Sequence, residues 1–276
     1  MSNFSIVQKV NMGLWAFVMI IAFVVQTGAH PLGNFTISHY TRLELTAERV
    51  YLRYIIDMAE ISTFQEFEVI DTNKNRAPEK QELEVYGQQV APQYAERLQL
   101  SIDDVSIPVR VERQQVLWQL DEGGFPNLRI VCDFVAAVPS AQVGALHRLK
   151  LADTNRRERS GWREMVVVPR AGISVFDSTA FGNGITDELK VFPKDLLTAL
   201  PNEQTIELSF TQGDIPSGAV PLRTREGRNV ESQARNQLAE FIAAPNLSIK
   251  IGLLGLLLAA LMVGYKRFRP MIGNKG

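Results

Sequence analysis

Phe35-Thr-Ile-Ser-His-Tyr-Thr-Arg-Leu-Glu-Leu45 is followed, after Thr46-Ala-Glu-Arg49, by Val50-Tyr-Leu-Arg-Tyr-Ile-Ile-Asp-Met58. In the first stretch the odd positions hold Phe35, Ile37, Leu43 and Leu45, and the even ones Ser38, Tyr40, Arg42 and Glu44. A period of two marks a half-buried strand. The second stretch puts Val50, Leu52, Tyr54, Ile56 and Met58 on one face. The connection has hairpin length. Pairing Leu45 with Val50 sets Leu43 opposite Leu52, His39 opposite Ile56 and Ile37 opposite Met58. Both apolar faces then coincide, and a slip of one residue would turn one of them over.

Working outward, the sequence predicts further strands at Arg97–Ile102, Ser106–Glu112, Gln115–Leu120, Leu128–Val138, Leu146–Ala152, Arg163–Val168, Ile173–Asp177, Leu189–Phe192 and Thr205–Phe210. Many short strands separated by turn signals read as a mainly β, sandwich-like domain. A helical insertion over residues 62–97 interrupts them, broken in its middle. Residues 216–235 are polar, contain Pro and Gly, and read as a linker.

The ends differ from this domain. Lys9 precedes an apolar run, Met12–Val25, that closes on Thr27-Gly-Ala29. That is the pattern of a secretory signal cut before His30; an uncleaved N-terminal anchor is the other reading. Residues 247–265 are apolar apart from Ser248 and Lys250, and Lys266, Arg267 and Arg269 follow. Nineteen residues reach roughly 28 Å as a helix, enough for a bilayer when Lys250 snorkels. The basic residues place the tail, 266–276, in the cytosol. The expected organisation is a signal at 1–29, an extracytoplasmic β-rich domain at 30–240, and one transmembrane helix. Of the net charge of −1 over 276 residues, the two ends contribute +1 and +5, so residues 30–246 carry −7. That balance argues against a nucleic-acid partner. The single cysteine, Cys132, lies in an apolar strand and reads as a buried thiol.

The break in the insertion is Asp71-Thr-Asn-Lys-Asn-Arg-Ala-Pro-Glu-Lys-Gln-Glu82. Its spacing matches an EF-hand loop. Asp71, Asn73 and Asn75 occupy positions 1, 3 and 5, the Ala77 carbonyl position 7, Glu79 position 9 and Glu82 position 12. Alternate residues of such a loop point at one hard cation, and the last carboxylate closes the shell. Arg76 stands where glycine is wanted for a positive φ, and two amides replace carboxylates. Ca²⁺ binding is therefore expected to be weak, about 10⁻⁴–10⁻³ M. A decayed site whose loop conformation persists is the favoured reading, and a metal-free, Asn-rich turn ahead of a helix is the alternative.

Cleavage before His30 would put an α-amine beside an imidazole. Together they chelate Ni²⁺, Co²⁺ or Cu²⁺. His39 is a candidate second ligand if Pro31–Asn34 folds back; a core histidine is the alternative. No phosphate-binding, nucleophile-elbow, zincin or paired-cysteine motif is present. With three histidines and one cysteine, the residues do not point to an enzyme, and an extracytoplasmic hydrolase is only a residual alternative.

Four stretches carry a resemblance: Ala29–Tyr40, Val50–Gln65, Ser160-Gly-Trp-Arg-Glu-Met-Val-Val-Val168 and Asp187-Glu-Leu-Lys-Val-Phe-Pro-Lys-Asp-Leu-Leu197. Over roughly residues 30–212 the chain resembles the external N-terminal domain of bacterial nickel/cobalt transporters of the high-affinity nickel-permease type. The family's permease motif, H-x-x-x-P-G-H-G-K, has no match here, so no transport residue is carried over. The resemblance implies a single-pass, membrane-tethered accessory or metal-presenting domain for divalent-metal transport, with a permease as partner. A structural or adhesion-like ectodomain without metal chemistry is the alternative.

Overall fold

The computed structural model describes residues 34–121, 123–139, 144–193 and 200–230. The signal segment, His30, the apolar run 247–265 and the basic tail lie outside the described residues. Among those described, no helix is long and apolar enough to cross a membrane.

β1 (Ile37–Leu45) and β2 (Arg49–Met58) form the expected hairpin. Its register pairs Leu45 with Val50, Leu43 with Leu52, His39 with Ile56 and Ile37 with Met58. Two helices follow, α1 (Glu60–Ile70) and α2 (Lys80–Glu96). The chain then runs through β3 (Leu98–Ile102), β4 (Val105–Ile107), β5 (Arg110–Leu120), β6 (Pro126–Ala137), β7 (His147–Asp153), β8 (Arg163–Pro169), β9 (Ser174–Phe176) and β10 (Thr205–Thr211).

The strands build two five-stranded sheets, ordered β5-β6-β2-β1-β8 and β4-β3-β7-β10-β9. Among the described strands every ladder is antiparallel except β1 with β8, which is parallel. Leu43, Leu52, Ile56 and Phe134 of the first sheet share one core with Leu100, Leu149, Leu151 and Leu208 of the second. This is the sandwich that the alternation predicts. Asp103 and Asp104, with φ of 51° and 63°, make the two-residue turn between β3 and β4.

Four expectations need correction. The polar face of β1 is not open to solvent, because a strap over residues 185–193 covers it. Tyr40, Ile55, Trp162, Val166 and Leu189 form a second apolar cluster beneath that strap. Leu189–Phe192 is not a strand: Asp187, Glu188 and Leu189 all take left-handed φ values, and the strap is irregular. The expected break near Arg113 is a bulge inside a continuous β5, whereas Pro108 marks the crossing from one sheet to the other. Finally, residues 216–230 are not a free linker. Leu222 is buried and its N–H bonds to the Val175 carbonyl at 3.0 Å, and Val230 packs on Gly182.

Candidate functional site

The loop at residues 71–82 joins α1 to α2, and its left-handed residues are Lys74 (φ 58°) and Arg76 (φ 63°). The position that EF-hand spacing reserves for glycine thus has the expected backbone, with arginine bearing the strain. The Asn75 N–H donates to Asp71 Oδ1 at 3.0 Å and the Arg76 N–H to Asp71 Oδ2 at 2.9 Å. Asn73 Oδ1 accepts from the Asn75 N–H, and Asn75 Oδ1 from the Ala77 N–H. The Asn75 amide nitrogen donates to Glu79 Oε1 at 2.6 Å.

Glu82 closes the loop from the first turn of α2. Its Oε1 accepts from the Thr72 N–H and hydroxyl, both at 2.8 Å, and from the Asn73 N–H at 3.2 Å. The Thr72 hydroxyl bond lowers its pKa most; burial opposes this, and the Asn73, Thr72 and Glu79 amides add to the lowering. Its Oε2 is shielded from solvent and makes no hydrogen bond. Asp71, Asn73, Asn75, Glu79 and Glu82 are thus linked by hydrogen bonds within the loop. Among the described residues no three His, Cys, Asp or Glu side chains converge on one point, so amide oxygens would make up much of any ligand set here.

His39 lies near the start of β1, facing the core, with its side chain 2% exposed. Its Nδ1 is 2.9 Å from the Tyr54 hydroxyl and 3.1 Å from Asp153 Oδ2. Asp153 also accepts from the Asn155 N–H at 2.9 Å, from the Asn155 amide at 3.0 Å and from the Tyr54 hydroxyl at 3.2 Å. Arg163 Nη1 is 3.4 Å from Asp153, and Arg163 Nη2 donates to the Asn155 and Arg156 carbonyls. Burial holds the His39 pKa below its ordinary 6.5 against the pull of Asp153. His39 Nε2 has no hydrogen-bond partner. A histidine committed in this way braces the two sheets, and the core reading of His39 fits better than service as a second metal ligand.

Sequence reasoning missed Asp153, Arg163 and Tyr54 as a cluster. The signal was parity: Asp153 is in phase with Leu149 and Leu151, and Arg163 with Met165 and Val167, so both charges face inward. It also missed the ion-pair ladder under the strap. Arg113 and Arg53 both reach Asp133, Arg53 and Arg42 both reach Glu188, and Arg42 and Arg170 both reach Glu44. Glu188 offsets a like-charge pair, because Arg42 and Arg53 are direct cross-strand neighbours. Cys132 is buried, and burial pushes its thiol up to about 12. His147, given no role from sequence, bonds to Asp103 at 2.7 Å.

Against known proteins, no family model matches the chain, and no curated protein matches it.

Proposed function

We propose that this chain is a membrane-tethered, extracytoplasmic accessory domain of a nickel or cobalt transport system. It docks with a permease, or presents metal to it through a processed His30. The observation that carries the reading is where the four resembling stretches lie. Their described parts are spread over more than 150 residues of sequence, yet β1, β2 and β8 share one sheet and Leu189 of the strap packs on it. β1 pairs with β8 through His39 and Arg163, Arg42 of β1 holds Glu188 of the strap, and Glu164 of β8 accepts from the Thr186 hydroxyl at 2.5 Å. The resemblance therefore falls on the structural heart of the domain and not on scattered surface positions.

His39 is buried with its Nδ1 committed to Tyr54 and Asp153, so metal presentation falls to His30 and not to His39. The same commitment favours the second reading, a structural ectodomain without metal chemistry. Nickel and cobalt accumulation at limiting metal separates the two, in cells with and without the chain. Accumulation should change several-fold on deletion and return with the full chain. Unchanged accumulation, with no permease cross-linked to the chain, would select the second reading.

A further inference from the structure

We propose that this chain pairs with a second copy of itself along the outer edge of β5, joining two β5-β6-β2-β1-β8 sheets into one continuous sheet. An open sheet edge presents a row of free N–H and C=O groups, and folded proteins cover, shorten or charge such edges. The other edges here are managed in that way. Along β8, Val166 bridges Phe181 and Arg163 bridges Asn202, and the Val167 and Arg163 N–H groups donate to the Phe181 and Pro201 carbonyls at 2.9 Å each. Pro221 and Leu222 cover β9. β4 is only three residues long, and Pro108 follows it. That leaves β5. Its first half is blunted by the bulge at Glu112 and by the charges of Arg110, Glu112 and Arg113. Its second half, Gln114-Gln-Val-Leu-Trp-Gln-Leu120, holds no charge and no proline. Among the described residues the backbone of this stretch bonds only to β6, and none of its side chains is buried.

The occupant follows from how this stretch meets itself. Antiparallel pairing about a two-fold axis at Leu117 engages all of Gln114–Leu120. It sets Val116 opposite Trp118 of the second copy, a β-branched side chain against an aromatic one. It also sets Gln115 opposite Gln119, amide against amide, and Leu117 against its own copy. No like charges face one another within the stretch. Just beyond it Arg113, 74% exposed, stands opposite Asp121 and in the same phase, which gives an ion pair at each end. The side toward α2 has room for the contact. Val116 faces that helix, since a Cβ added at Gly87 would lie 3.0 Å from its Cγ2. A hollow of about 550 Å³ runs between α2 and this edge, lined by Lys80, Leu83 and Glu84 of the helix and by Gln114, Val116 and Trp118 of the strand. Leu120, 67% exposed, is in phase with Val116 and lies opposite Gln114 in this register. Leu120 of the second copy therefore enters the hollow.

Nickel binding at His30 is read separately from molecular mass, so either reading can fail alone. The mass of the full chain in detergent is measured by light scattering, with the detergent contribution subtracted, and a dimer is expected at about 100 μM. Register is tested with single cysteines, because the native Cys132 is buried. Leu117→Cys brings two Cβ atoms to about 4.5–5.5 Å across the axis, a small shift from disulfide geometry. Gln119→Cys, at an exposed position in the same phase, holds them roughly 14 Å apart. Mild oxidation should cross-link the first variant and not the second. Leu117→Lys sets a positive charge against its own copy and should weaken dimerisation at least about tenfold. Should Leu117→Lys fail to fold by circular dichroism, Gln115→Lys combined with Gln119→Lys sets like charges opposite one another from two exposed positions. A monomer at about 100 μM would overturn the proposal, whether or not Leu117→Cys then couples to a different protein. Equal cross-linking at the two cysteine positions, or a dimer unchanged by the lysine variants, would overturn it equally.

Discussion

Asp153→Asn keeps the size of a buried side chain and removes its charge. In the folded protein Asp153 Oδ1 accepts from the Asn155 backbone and side-chain N–H groups at 2.9 and 3.0 Å. Its Oδ2 faces His39 Nδ1 at 3.1 Å and Arg163 Nη1 at 3.4 Å. If the new amide keeps its oxygen toward Asn155, its NH₂ points at the Arg163 guanidinium, donor against donor. Arg163 is 2% exposed and would be a buried cation without a carboxylate. Breaking such a pair costs about 3–5 kcal/mol. Arg163 retains two carbonyl acceptors, at 3.0 and 2.7 Å, which places the expected loss near the lower end, about 3 kcal/mol. For a domain of this size that is a drop of roughly 6–12 °C in Tm. Urea unfolding should show a lower midpoint with an unchanged slope. A cycle with Arg163→Met should give a coupling of at least about 2 kcal/mol, because removing the stranded cation relieves the fault. A loss under about 1 kcal/mol, or additive single effects, would refute the claim that this cluster braces the sheets.

Other expectations follow from the same geometry. Folded His39 has its pKa held below 6.5, so the unfolded chain binds the extra proton first; stability falls as pH drops below about 6.5, by at most about 1.4 kcal/mol per pH unit, and His39→Gln should remove that slope in denaturant titrations. At Gly161 (φ 154°) an added Cβ would lie 2.1 Å from the Ile37 carbonyl oxygen, and hydrogen bonds from the Ile37 and His39 amides hold the two segments together, so Gly161→Ala should cost about 3 kcal/mol by thermal unfolding. Glu188→Gln should release Arg42 and Arg53 to repel one another, lowering stability by about 1–2 kcal/mol and speeding amide exchange in the strap; an unchanged exchange pattern would count against the ladder. Cys132 should resist thiol reagents until the protein unfolds, and labelling at the native rate of an exposed thiol would contradict its placement.

The β1–β2 register was legible because alternation leaves only one pairing with both apolar faces on the same side. The left-handed backbone at Arg76 was legible because loop spacing specifies a φ even where the residue resists it. The strap was not legible. Its stretch alternates weakly, like a strand, and only the pull of Glu188 on Arg42 and Arg53 and of Thr186 on Glu164 shows why it folds back. Local pattern also cannot show that Asp153 and Arg163, ten residues apart and on different sheets, neutralise each other inside the core. Their inward parity was visible, but each reads as a strand-end charge until the sheets are stacked.

The central claim, metal presentation at a processed terminus, is tested most directly by nickel titration of two forms of the full chain, one beginning at His30 and one carrying a single extra residue before it. The extension removes the free amine next to the imidazole, and with it the six-membered chelate ring, while the fold stays the same. The processed form should bind nickel far more tightly, and its affinity should fall below about pH 6 as protons compete for amine and imidazole. Equal affinity for the two forms would contradict the account.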